Sequence, residues 1–163
     1  MKPNGLLLLF LVFLTVFTSC SKTELVEDEE IYETTALLTM STSEEDLFNM
    51  VNTHRVEMGL NKLEFSSEAY KYAEEHNEYM IEQNKLSHDF FSSRASNLSN
   101  ETGAVYVGEN VAKEYNTNLG AFQGWYNSPP HRKTMEGEFT HAAVSIVVSP
   151  RGVPYFTQIF YRK

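Results

Sequence analysis

The sequence predicts an α+β domain in which a small antiparallel sheet packs between helical layers. Three observations point there: apolar residues recur at helical spacing through the first part of the domain, the period changes to strand-like alternation at its end, and one short strand candidate lies between.

Taken in order, Ser43 is placed to cap a first helix, with Asp46 three residues on. Leu47, Met50, Val51, His54 and Met58 then follow at helical spacing, and Gly59 supplies the C-terminal stop. A second helix begins after Ser66 or Ser67, sets Ala69, Tyr70, Ala73, His76, Met80 and Ile81 on one face, and fades near Lys85 or Leu86. Residues 92–103, rich in Ser, Asn and Gly, read as a surface loop, and Val105 to Val107 as a short strand. A third helix is expected from Asn118 to Asn127 with Leu119, Phe122 and Tyr126 inward. Pro129-Pro130 interrupts it, and a short helix follows from His131 to Met135. Ala142 to Val148, a turn at Ser149-Pro150-Arg151-Gly152, and Tyr155 to Tyr161 form a closing β-hairpin.

The N-terminus has a different character. Met1-Lys2 precedes an apolar run from Leu6 to Phe17 broken only by Thr15, the pattern of a secretory signal. Its 12 residues fall short of the roughly 20 that a spanning helix needs. Cys20, the only cysteine, directly follows Thr18-Ser19, where cleavage would make it the new N-terminus, so no intrachain disulfide exists. This arrangement resembles the lipobox of a bacterial lipoprotein, with Phe17 in place of the usual Leu. It implies lipidation of Cys20 and attachment to a membrane without crossing it.

The formal net charge of −9 is unevenly spread. Ser21 to Asp46 carries nine acids against Lys22, whereas residues 47–163 carry 13 acids and 11 bases. The acidity thus belongs mainly to a tether, read either as a solvated stalk or as a surface-export address of the kind found after lipidated cysteines in the Bacteroidetes. A nearly neutral domain argues against a nucleic-acid partner. The expected organisation is a signal over residues 1–19, lipidated Cys20 and tether over 20–42, and one domain over 43–163.

The chain has no HExxH, GxSxG, Walker or GxGxxG motif, and no cysteine within the domain, so a covalent nucleophile has no candidate. The polar residues at element ends are His88 after the second helix, Glu109 after a strand and a glycine, and His131 after the double proline. Their gaps of 21 and 22 residues match no local metal motif, and each residue taken singly also suits a structural role. His54 and His76 lie on inward faces and read as core histidines. His141 stands at a strand start where it could line a cleft, and Trp125, Tyr155, Phe156 and Phe160 read as core.

Read together, Asn52xxArg55xxxGly59-Leu60xxLeu63, Ala73xxHis76, Ser87-His88, Gly108-Glu109-Asn110-Val111-Ala112, Trp125xxSer128-Pro129-Pro130-His131-Arg132 and Phe139-Thr140 follow one another in the order of bacterial CAP-domain proteins. The chain resembles the CAP superfamily, which comprises cysteine-rich secretory proteins, antigen 5 and pathogenesis-related 1. The resemblance implies a three-layer α-β-α sandwich with a small antiparallel sheet and a central cleft. His88 and Glu109 match the family's first histidine and first acid. Ser128 and Glu138 stand where the eukaryotic branch has a second acid and a second histidine, and His131 takes the place of a bacterial-branch histidine.

Two imidazoles and a carboxylate suit a divalent metal such as zinc, which makes His88 and His131, with Glu109, the candidate metal and cleft residues. Three functions are compatible with this reading. The first is a surface binding module for a small apolar or lipid-like ligand or a protein partner. The second is a metal-dependent hydrolase with Glu109 as general base. The third is an envelope scaffold whose cleft residues are structural.

Overall fold

A computed structural model describes residues 38–163. The expected signal, Cys20 and most of the acidic tether lie outside the described residues. Five helices and four strands follow in the order α1 (Thr42–Glu57), β1 (Glu64–Phe65), α2 (Ser67–Glu82), α3 (Phe91–Thr102), β2 (Tyr106–Lys113), α4 (Asn118–Asn127), α5 (Pro129–Met135), β3 (His141–Val148) and β4 (Pro154–Arg162). Among the described residues no helix is long and apolar enough to cross a membrane.

The strands form one sheet in the order β1-β3-β4-β2. β3 and β4 pair as the expected hairpin, and β2 runs antiparallel to β4 with Glu109 opposite Ile159 and Asn110 opposite Gln158. The two-residue β1 pairs parallel to β3, so the sheet is mixed rather than purely antiparallel.

Alternate residues of the sheet feed two cores. On one face, Ala112, Ala142, Val144, Phe156 and Phe160 pack against Leu47, Phe48 and Val51 of α1, Ala121 and Trp125 of α4, and Met135 of α5. On the other, Ala143, Ile159 and Tyr161 pack against Ala69, Tyr70 and Ala73 of α2 and Leu98 of α3. The result is a three-layer α-β-α sandwich.

Several local expectations are corrected. The first helix starts two residues earlier, capped not by Ser43 but by Ser41, whose side chain and backbone exchange hydrogen bonds with Glu44 in a complete capping box. Glu44 is favoured because it also accepts from Tyr70 Oη and from the Ile146 amide at 2.7 Å, stitching the helix to both α2 and β3. Its buried stripe includes Phe48, Asn52 and Arg55, while Met58 is exposed. Arg55 donates to the carbonyls of Asn61, Met135 and Gly137, which satisfies its buried guanidinium.

The Ser- and Asn-rich segment expected as a loop is helix α3, anchored by fully buried Leu98 and ended by Gly103 at φ 75°. It is a surface helix with a narrow apolar face, so its composition reads as loop. The expected short strand extends to Lys113 and contains Glu109. α4 has the expected bounds but a different inward face: Ala121 and Trp125 are buried, whereas Leu119 and Tyr126 are exposed.

Candidate functional site

Glu109 is centred in β2 and points to the α2–α3 side, where its side chain is 1% exposed. A buried carboxylate is costly without partners. Here Oε1 accepts from His88 Nδ1 at 2.8 Å, and Oε2 accepts from Arg94 Nε and Nη2 at 3.0 and 2.7 Å. Burial by itself pushes the Glu109 carboxyl up, but the His88 hydrogen bond and the Arg94 charge outweigh it and hold the group below the usual carboxylate range.

The loop between α2 and α3 presents His88, and four hydrogen bonds set its course. His76 Nε2 donates to the Ser87 carbonyl at 2.8 Å. Tyr79 Oη and Lys85 Nζ both donate to Asp89 Oδ2, and Arg94 Nη1 donates to the Asp89 carbonyl at 2.8 Å. Arg94 therefore fixes both the carboxylate that orients His88 and the backbone next to it. With Nδ1 committed to Glu109, His88 turns Nε2 outward on a side chain that is 51% exposed.

His131 lies on α5, and Asn110 Nδ2 donates to its backbone carbonyl at 3.0 Å. Burial, and then the charge on nearby His88, push the His131 imidazole below its usual pKa. Of the three expected residues, His88 and Glu109 are in direct contact, whereas His131 touches β2 through its backbone at Asn110 and feels His88 only through its charge. Arg94 is not among the residues the sequence points to, because its segment reads as loop and only the helix α3 places it. The signal was a lone arginine four residues before the apolar Leu98.

The other histidines divide. His76 is buried 3.9 Å from Glu109, with burial lowering its pKa and Nδ1 lacking a hydrogen-bond partner. It is more tightly bound to the site than its expected role of satisfied core residue implies. His54 bonds Glu136 at 2.9 Å. His141 stacks on Tyr161 and bonds Thr140 rather than joining the Glu109 network.

The sequence pattern of CAP, the cysteine-rich secretory protein family, matches residues 48–160. The chain belongs to the CAP family. The uncharacterized membrane protein YlbC of Bacillus subtilis (strain 168) is 32% identical over 146 residues, which make up 86% of this chain and 40% of that protein. An extracellular protein containing an SCP domain from Bacillus anthracis str. Ames is 28% identical, with a TM-score of 0.66 over 74% of this chain and 40% of that one. An outer surface protein of Borrelia burgdorferi shares the fold at 18% identity, with a TM-score of 0.67 over 76% of this chain and 96% of that one. The chain spans 40% of the length of YlbC. A membrane protein and an extracellular protein among its relatives support an exported location.

Zinc chemistry in a CAP domain needs donors around a common point, and catalytic zinc takes three protein ligands. Among the described residues no three His, Cys, Asp or Glu groups are so arranged. Glu109 sits behind His88 as its hydrogen-bond acceptor and carries a guanidinium on its other oxygen. That leaves two imidazoles, and the donor set does not fit a three-ligand zinc site.

A second feature of this CAP domain lies on the opposite helical layer. A groove of about 510 Å³ runs between α1 and α4, walled by Met50, Leu119, Phe122 and Tyr126. Asp46, Glu57 and His54 also line it. Leu119 and Tyr126, the exposed apolar residues of α4, form part of its wall.

Proposed function

We propose that this CAP-domain protein is a lipid-anchored module of the bacterial outer membrane or cell surface that binds a small lipid-like molecule. The α1–α4 groove carries this reading. Its volume falls within the range of about 300–1,000 Å³ typical of small-molecule sites, and its walls are apolar side chains with a few polar groups among them. Cys20 after its apolar leader supports the anchor, and relatives that are a membrane protein and an extracellular protein support export.

The polar site has a recognition role in this reading. A general base works best with a pKa near the working pH, and Glu109 is held on the acidic side of the carboxylate range by Arg94 and His88. Its task is to fix His88, which offers a directed ring nitrogen to a partner or ligand.

Thermal unfolding of the full chain with a panel of fatty acids, lysophospholipids and sterols tests the proposal. A ligand that binds only the native state at a hundred times its Kd stabilises it by about 2.7 kcal/mol, which raises Tm by several degrees. Phe122→Asp, at a partly buried groove wall, should abolish the rise. No shift with any lipid, or a shift that survives Phe122→Asp, would refute the groove as the ligand site.

A further inference from the structure

Two depressions adjoin at the start of β2. One, of about 480 Å³, lies towards the end of α5, with Lys133, Glu138 and Arg162 among its lining. The other, of about 380 Å³, lies against α3 and is lined by Ser96, Ser99 and Asn100. Tyr106 lines both, so they lie as two arms to either side of the strand edge, with the tyrosine ring on the Phe139 side.

That ring is a fixed platform. Tyr106 stacks on Phe139 with centroids 5.4 Å apart and planes 12° from parallel. Phe139 is 2% exposed and Tyr106 57%, so the outer face of the tyrosine is open to solvent. Two glycines hold the stack in place. A Cβ on Gly108 would come 2.7 Å from Phe139 Cζ, and one on Gly137 would come 2.5 Å from Cε2, so Phe139 lies directly against backbone on both sides.

The two arms differ in chemistry. Ser96, Ser99 and Asn100 supply hydroxyls and an amide that both donate and accept. In the other arm Arg162 pairs with Glu138 at 2.8 Å, and Lys133 is exposed and has no ion pair among the described residues. Two cations against one acid give that arm a positive balance in a chain of net charge −9. Such a lining suits an anion with a flat face to lay on the ring, because an acyl chain or a neutral ligand would leave the surplus cation unused.

We propose that the arm beside α5 binds an acidic oligosaccharide. One sugar ring lies on the outer face of Tyr106, and a carboxylate meets Lys133 and Arg162. The site is separate from the His88 site because consecutive strand residues face opposite ways: Gly108 meets Phe139, whereas Glu109 meets Arg94. It is also independent of the lipid groove.

Calorimetry on the full chain with trigalacturonic acid, maltotriose and triglutamate tests the assignment. Trigalacturonate should bind, and maltotriose and triglutamate should bind more weakly. Lys133→Ala removes an exposed charge, and Tyr106→Leu keeps Phe139 covered while removing the flat ring. Each should weaken trigalacturonate binding by about tenfold, the loss of one charge-assisted or stacking contact, with Tm close to that of the wild type for Lys133→Ala. Absence of trigalacturonate binding, equal binding of maltotriose, equal or tighter binding of triglutamate, or wild-type affinity in both variants would overturn it.

Discussion

Arg94 and Glu109 meet across the helix–sheet boundary, with two donors of the guanidinium converging on a single carboxylate oxygen at 3.0 and 2.7 Å. The other oxygen holds His88. The exposed imidazole is thus the outermost member of a network whose inner members are nearly solvent-free, with side chains of Arg94 and Glu109 that are 11% and 1% exposed.

Removing one member of a buried pair strands the other. Arg94→Met should cost about 3–5 kcal/mol in urea unfolding, because Glu109 keeps its charge and loses its main cation. Adding Glu109→Gln to that variant should recover a large part of the loss. His88→Ala, at a half-exposed position, should cost only about 1 kcal/mol. Equal losses for Arg94→Met and His88→Ala would contradict the network.

Acid should weaken the fold in two steps. Burial holds the His76 imidazole below its ordinary value of 6.5, so the unfolded chain takes up that proton first. Stability contributed by neutral His76 is then complete above pH 6.5 and declines as pH falls from there towards its lowered folded value. His131 acts in the same sense. Glu109 has a lowered carboxyl pKa, so its contribution is complete above the ordinary carboxylate value and is lost as pH falls through the lowered one. Urea midpoints from pH 7.5 to 5 should fall in wild type and fall less steeply in His76→Gln. Equal slopes would rule out His76 as a source.

Gly108 is needed for the close approach of Phe139. Gly108→Ala should destabilise by about 1–3 kcal/mol through overpacking, and Phe139→Leu in the same chain should relieve part of it. Additive losses in the double variant would show that the two positions do not press on each other.

Much of this architecture is written in periodicity. The α4 bounds, the β3–β4 hairpin and the Ser66 cap of α2 follow from apolar spacing and turn residues. α3 does not, because its burial rests on Leu98 alone while Ser, Asn and Thr fill most of the rest. Losing that helix hid Arg94, and without Arg94 a glutamate inside a strand has no visible reason to be buried. The identity of His88, Glu109 and His131 as neighbours came from motif order, since gaps of 21 and 22 residues carry no local geometry. The face of α4 is not legible in the sequence because Leu119 and Tyr126, which a burial argument places inward, line the α1–α4 groove instead.

Membrane attachment has its own direct check. Cys20→Ser should leave the protein unlabelled by a clickable palmitate analogue and move it from the membrane pellet to the soluble fraction. Unchanged labelling and pelleting would exclude Cys20 as the anchor.

The role of Glu109 as a clamped positioning group, rather than a base, is open to one direct measurement: the side-chain carboxyl ¹³C NMR titration of Glu109 in wild type and Arg94→Met. Glu109 should titrate below the ordinary carboxylate range in wild type and move upward when the guanidinium is lost. A wild-type Glu109 that titrates near neutrality would contradict the account and put a competent general base in the cleft.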